Sequence, residues 1–231
     1  MTGFFELITD LDQSLFFFLN GKHSPFWDIV MTLFTRTEYW LILYVPLIWF
    51  IIKKYRAKAL VILILLALAI VITDQFSVLV KDTVKRFRPT HDPAIQHLVH
   101  NVLKKGGLYG FFSSHASNTF GVAAFTSLLF RNSRYSFLIY SWALLVSYTR
   151  IYVGVHYPLD ILTGMLFGIL TGYFMYKLLI VIEKHFLVLR SPKLEETNLE
   201  NSGFNLIFII FLTVLATTFM VVSRLQHFNW I

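Results

Sequence analysis

From Phe204 to Ser223 the chain runs for 20 residues without a charged side chain, and about 20 mostly apolar residues are what a helix needs to cross bilayer hydrocarbon. Backbone N–H and C=O groups find no water there, so such a run has to be helical. Five further stretches approach the same rule, at 37–53, 58–80, 115–130, 135–153 and 157–182, with 204–223 as the sixth. Ala59 to Thr73 is an almost pure Leu, Ile, Val and Ala run. The pattern predicts an all-α integral membrane bundle of about six transmembrane helices. Charge content agrees: 14% of the 231 residues are charged, against about 25% in a soluble domain. That is too little polar surface to coat a water-soluble particle of this size.

The remaining segments fit around this bundle. Residues 3–20 are apolar in patches but carry Glu6, Asp10 and Asp12, and unpartnered acids are costly at mid-bilayer. The N-terminal segment 1–23 is therefore expected to lie in the interface as an amphipathic helix, the other reading being a solvated helix packed on the bundle. Without a basic start or a small-residue cleavage site it does not read as a cleavable signal peptide. Residues 24–231 are expected to form one transmembrane domain. Within it, Trp27 to Phe34 is either an extension of the first span or a separate short helix. The formal charge of +7 falls mostly between apolar runs, which argues against a nucleic-acid partner. There are no cysteines, so disulfides, thiolate metal sites and cysteine nucleophiles are excluded.

Positive loops stay on the cytoplasmic side. One set of turns holds Lys53, Lys54, Arg56, Lys58, Arg131, Arg134, Lys177, Lys184, Arg190 and Lys193; the other holds Lys22, Arg36, Lys81, Lys85, Arg86, Arg88, Lys104, Lys105, Arg150 and Arg224. The sets are equal, but Lys81, Arg88 and Arg150 belong to a candidate site instead of a loop, leaving seven against ten. The first set is therefore expected to face the cytoplasm. The only long connection, 81–114, belongs to the opposite side, and connections of that length in compact domains are usually functional or disordered.

Ionisable residues at membrane depth mark a site by default, and three clusters qualify. Lys81 and Arg88 follow the second span; if the helix continues, seven residues place them nearly two turns apart on one face, with Pro89 closing the helix. Ser113, Ser114 and His115 stand where the third span begins, and Ser residues there can cap a helix whose free N–H groups bind phosphate. Arg150 ends the fourth span, and His156 and Asp160 lie about one turn apart around Pro158, so that the acid can hold one imidazole nitrogen as a donor. An even number of spans separates each cluster from the next, so all three lie on one side of the bundle. Three cations, two Ser, two His and an Asp at one membrane face suit a phosphate ester: cations meet developing charge, one His attacks and one protonates the leaving group. The further His91, Asp92, His97 and His100 match no common metal-ligand spacing and read as loop residues.

Lys81-x6-Arg88-Pro89, Ser113-x-His115 and Arg150-x5-His156-x3-Asp160, in this order and around a long loop, resemble the three signature motifs of the type-2 phosphatidic acid phosphatase superfamily of membrane lipid phosphatases. Two departures stand out: Phe112 and Ser114 replace the Pro and Gly of the usual Pro-Ser-Gly-His, and Thr149 replaces the Ser before Arg150. The resemblance implies that His156 attacks phosphorus and forms a phosphohistidine, that Asp160 orients it, and that His115 protonates the leaving oxygen and then activates water. It implies that Lys81, Arg88, Arg150, Ser113 and the Ser114 backbone N–H hold the non-bridging oxygens, with no metal or other cofactor. Undecaprenyl diphosphate, phosphatidylglycerophosphate, phosphatidic acid and lipid A phosphates become candidate substrates, at the extracytoplasmic face of a cell membrane such as the bacterial inner membrane. A transporter or channel for an anionic solute or lipid is the rival reading, but it favours charges spread through the bilayer depth, and Asp74 is almost alone there. A branch using the same cage for vanadate is typically soluble, and this chain is not.

Overall fold

A computed structural model describes residues 2–103, 105–186, 193–194 and 197–228. Lys104 and Arg190, both counted in the charge comparison, lie outside the described residues. Eight α-helices occur among the described residues: α1 (Thr2–Asn20), α2 (Pro25–Phe34), α3 (Leu41–Tyr55), α4 (Ala59–Val84), α5 (Ser114–Phe130), α6 (Ser133–Tyr152), α7 (Pro158–Phe186) and α8 (Asn201–His227). The last six correspond to the expected spans. Trp27 to Phe34 proves to be a helix of its own, α2, capped by the Ser24 hydroxyl and started by Pro25, as expected for a first-turn proline. Residues 37–40 form one tight turn in place of the start of a span, with the Trp40 indole N–H bonded to the Phe34 carbonyl at 2.8 Å.

Three stretches are long and apolar enough to cross a membrane unaided: 37–84, 158–186 and 201–227. The first is bent at 56–58 into α3 and α4. α5 is only 17 residues long, both it and α6 carry Ser, Thr and other polar residues, and their positions in the bundle show why this is tolerated. α5 packs against α4, α6 and α7, and Ser117, Thr126, Ser147 and Thr149 on these two helices are buried within the protein. The lipid-facing work falls to outer helices, where Leu60, Ile64, Leu166, Phe174, Ile209 and Val221 are exposed.

The α5–α7 contact brings backbones together. Gly164, Gly168 and Gly172 recur every four residues on α7, a small-residue stripe of the kind that lets membrane helices approach closely. A Cβ at Gly172 would stand 2.5 Å from the Gly121 carbonyl oxygen, and one at Gly164 would stand 2.6 Å from that of Ser113. At the far end of the bundle a buried pair, Lys58 with Glu183 at 2.6 Å, joins α7 to the turn before α4. The Tyr55 hydroxyl donates to the Leu129 carbonyl at 2.8 Å, tying α3 to α5.

Gly168→Val is expected to push α7 off α5, because its Cβ would collide with the Ser117 carbonyl; overpacking of a tight core costs about 1–3 kcal/mol or more. The check is the thermal midpoint in detergent, which should fall for Gly168→Val and stay unchanged for Gly3→Ala, where nothing lies within 4 Å.

Candidate active site

The C-terminal ends of α4 and α6 and the N-terminal ends of α5 and α7 meet at one end of the bundle, as the alternation of spans requires. Between them lies a cavity of about 620 Å³ whose polar end is lined by Lys81, Arg88, Ser114, His115, Arg150 and His156. Six of the eight residues singled out in sequence therefore share one wall. Asp160 stands directly behind His156, fully buried, with Oδ2 3.3 Å from His156 Nδ1. Ser113 is the other residue off the wall. It is fully buried, its hydroxyl accepts from the Ala116 N–H at 3.4 Å as the α5 N-cap, and its own N–H donates to the Asp160 carbonyl.

Arg88 does not reach the cavity along a helix face. α4 stops at Val84, with Lys85 in a left-handed conformation as its cap, and Arg88 arrives from the loop in extended geometry ahead of Pro89, as a residue before proline prefers. Its Nε donates to the Tyr109 carbonyl at 3.1 Å, and its Nη1 lies 3.5 Å from His156 Nε2. A guanidinium can only donate, so this contact assigns the lone pair of His156 to Nε2 and the proton to Nδ1, facing Asp160. Burial, followed by the charges of Arg88, Arg150 and Lys81, holds the His156 pKa well below the usual histidine range. The ring is therefore neutral at pH 7, with a free nitrogen turned toward the cationic end of the cavity.

The other cations are held by neutral oxygens. Lys81 Nζ donates to the Ser114 hydroxyl at 2.6 Å and to that of Ser77 at 3.3 Å. The Ser114 hydroxyl thus supports Lys81, a use separate from that of its backbone N–H. Arg150 Nη1 donates to the Thr35 hydroxyl at 2.6 Å, and its buried Nε has no hydrogen-bond partner among the described residues. None of Lys81, Arg88 and Arg150 forms an ion pair with a carboxylate among the described residues. Their charge is left for a ligand.

A pocket of three cations without carboxylate partners among the described residues suits an anion such as phosphate, and the comparisons with known proteins give the family. The model of the PAP2 superfamily matches residues 57–182, more than half of the chain. The chain belongs to the PAP2 superfamily. This PAP2 chain is 39% identical to a lipid A 4'-phosphatase of Bacteroides thetaiotaomicron, over 74% of its own length and 78% of the relative's. It is 36% identical to a lipid A 4'-phosphatase of Porphyromonas gingivalis, over 81% and 80%. The crystal structure of Aquifex aeolicus LpxE resembles it with a TM-score of 0.59 and 26% identity, covering 72% of this chain and 95% of that one.

Sequence reasoning missed Ser77, Thr35 and Arg86 around the site. Ser77 stands four residues before Lys81, a spacing that places both on one face of α4 and is the signal that could have found it. His91, Asp92, His97 and His100 are not gathered: His100 Nε2 pairs with Asp28 at 2.8 Å, and Asp92 accepts from the Tyr157 hydroxyl at 2.9 Å. No group of three or more potential metal ligands occurs among the described residues.

Gly110 packs against the pair. A Cβ there would stand 3.2 Å from Asp160 Oδ2, 3.5 Å from His156 Nδ1 and 3.0 Å from Arg88 Cγ. Gly110→Val is expected to spread these three groups and to slow phosphate release at least tenfold, about 1.4 kcal/mol in barrier. Steady-state assay of the purified variant against wild type checks this.

Proposed function

We propose that this PAP2 chain hydrolyses a phosphate monoester on a lipid A-type glycolipid within the membrane, releasing phosphate. The observation that carries this reading is the shape of the cavity. Its cationic end continues, past Asp74 and Asn118, into an apolar groove lined by Tyr44, Leu47, Leu66, Val122, Trp142 and Val146. Leu41, Ile48 and Ile70 line the groove and are also exposed on the outer surface, so the groove opens between α3 and α4 where lipid chains lie. A phosphate-bearing lipid fits both ends at once. The two lipid A 4'-phosphatases among its relatives support the choice of headgroup.

The site's geometry suits a two-step transfer. His156 Nε2 attacks phosphorus, an N–P bond forms, and the P–O bond to the lipid breaks as His115, which enters the step as the imidazolium paired with the bound phosphate, donates a proton to the leaving oxygen and becomes neutral. Neutral His115 then takes a proton from water, whose oxygen attacks phosphorus and releases phosphate from His156. Asp160 holds Nδ1–H throughout and stabilises the charge that develops on the ring. Lys81, Arg88 and Arg150 surround a group carrying about two negative charges, and the free Nε of Arg150 is a ready donor to it. Positioning and charge stabilisation are what phosphoryl transfer requires.

Released phosphate from purified protein, given lipid A, undecaprenyl diphosphate and phosphatidic acid in mixed micelles with excess EDTA, tests the assignment. Lipid A is expected to be turned over fastest, without need of a divalent metal. His156→Ala should fall below about a hundredth of the wild-type rate, about 2.7 kcal/mol, and Asp160→Asn should fall less. Turnover of none of the three, or turnover by His156→Ala, would overturn the reading.

We propose further that the site faces the extracytoplasmic side of the bacterial inner membrane. Supporting this, Lys53, Lys54, Arg56 and Lys58 cluster at the opposite end of the bundle, where positive charge is retained inside. Segment 1–23 is proposed to lie in the interface, because Phe4, Leu7, Leu11, Leu15 and Phe18 form one exposed apolar stripe along α1 that water would not favour; residues 24–231 then make up the transmembrane domain. In this cysteine-free chain, single cysteines at Lys105 and at Lys53 should react with an impermeant maleimide from outside only at the first position.

A further inference from the structure

A second set of charges stands behind His156, outside the cavity. Arg86 Nη1 donates to Asp160 Oδ1 at 2.8 Å, and Arg86 Nη2 donates to Asp12 Oδ2 at 2.5 Å. Asp12 is on α1, and its other oxygen accepts the Leu159 N–H at 2.8 Å. The guanidinium also lies over the Tyr157 ring, 4.3 Å from its centre. Asp160 is fully buried and Asp12 is 7% exposed, so neither carboxylate can rely on water.

We infer that Asp12 and Arg86 are positioning residues for the reaction, fixing Asp160 in the ionised form and in the place from which it orients His156. This inference rests on His156 and Asp160 acting as described under the proposed function. A buried carboxylate without a cation neutralises itself by taking up a proton. Protonated Asp160 would be a poor acceptor for His156 Nδ1–H, and the tautomer with its lone pair on Nε2 would lose its support. Arg86 prevents this by placing a fixed charge on the oxygen opposite His156. Asp12 in turn holds the far arm of the fork, so that the guanidinium stays in register with Asp160 instead of turning toward water. The geometry needs a planar, two-armed cation, which arginine supplies and lysine does not. Through Asp12 the N-terminal helix becomes part of the apparatus that orients the nucleophile, although it contributes nothing to the cavity wall.

The test is kinetics on purified protein with the best lipid phosphate found, comparing wild type, Asp12→Asn, Arg86→Gln, Arg86→Lys and the surface control Asp10→Asn. Arg86→Gln should lower kcat at least tenfold with KM changed less than threefold, Arg86→Lys should recover part of that loss, and Asp12→Asn should lower kcat about fivefold. Asp10→Asn, exposed on the same helix, should match wild type. The discriminating measurement is the double variant. If Asp12 acts through Asp160, adding Asp12→Asn to Asp160→Asn should change kcat less than twofold, because the orientation it supports is already lost. An Asp12→Asn enzyme with wild-type kcat, or one whose loss is undiminished in the Asp160→Asn background, would overturn the inference. Should Asp12→Asn not yield folded protein, Arg86→Lys decides alone: wild-type kcat there overturns the role of the two-armed cation. An inert wild type would instead overturn the functional reading itself, and this inference with it.

Discussion

Everything at the site depends on how closely α5 and α7 approach. His115 rides on the first turn of α5, His156 stands two residues before α7 and Asp160 lies in its first turn, so the approach of these two helices governs how the two imidazoles are placed. Glycines at four-residue intervals let the backbones touch, and contact between backbones leaves less room for adjustment than contact between side chains. In the proposed reaction the two imidazoles act on opposite sides of one phosphorus atom, which needs that lack of freedom. The Ser113 N–H bond to the Asp160 carbonyl locks the same two helix ends at the level of the reacting groups.

Charge is divided with equal clarity. Inside the cavity three cations are supported by hydroxyls and carbonyls, which orient them without cancelling them. Just behind the cavity Arg86 is shared by two carboxylates, which cancel it and fix it. Cations of the first kind attract an anion; a cation of the second kind organises a neighbour. Burying like charges side by side is costly, and in the proposed reaction the entering phosphate offsets that cost, so the pocket is suited to a ligand more than to its own stability.

Long apolar runs made the six outer and central helices legible in the sequence, because lipid imposes length and composition on any helix that spans it. The boundaries were less legible. α2 could not be separated from the first span by hydropathy, since what divides them is the turn at 37–40 and the Trp40 bond to Phe34. The gathering of Lys81, Arg88, His115, Arg150, His156 and Asp160 at one end of the bundle was readable, because they stand at fixed spacings in three short motifs. The burial of Ser113 and the use of the Ser114 hydroxyl were not readable, since both depend on which way a helix start is turned. The link that Arg86 makes between Asp12 and Asp160 was least readable of all. The two partners of Arg86 each lie 74 residues away, in opposite directions, and only the folded chain brings them together.

In the proposed function, the opening of the groove between α3 and α4 determines how this protein meets its substrate. A lipid that enters sideways never leaves the bilayer, so the encounter is a two-dimensional search. What governs occupancy is then the mole fraction of the lipid in one leaflet, not its amount per volume of the surrounding water. Diluting the membrane with inert lipid starves such a protein even when the total substrate in the sample is unchanged.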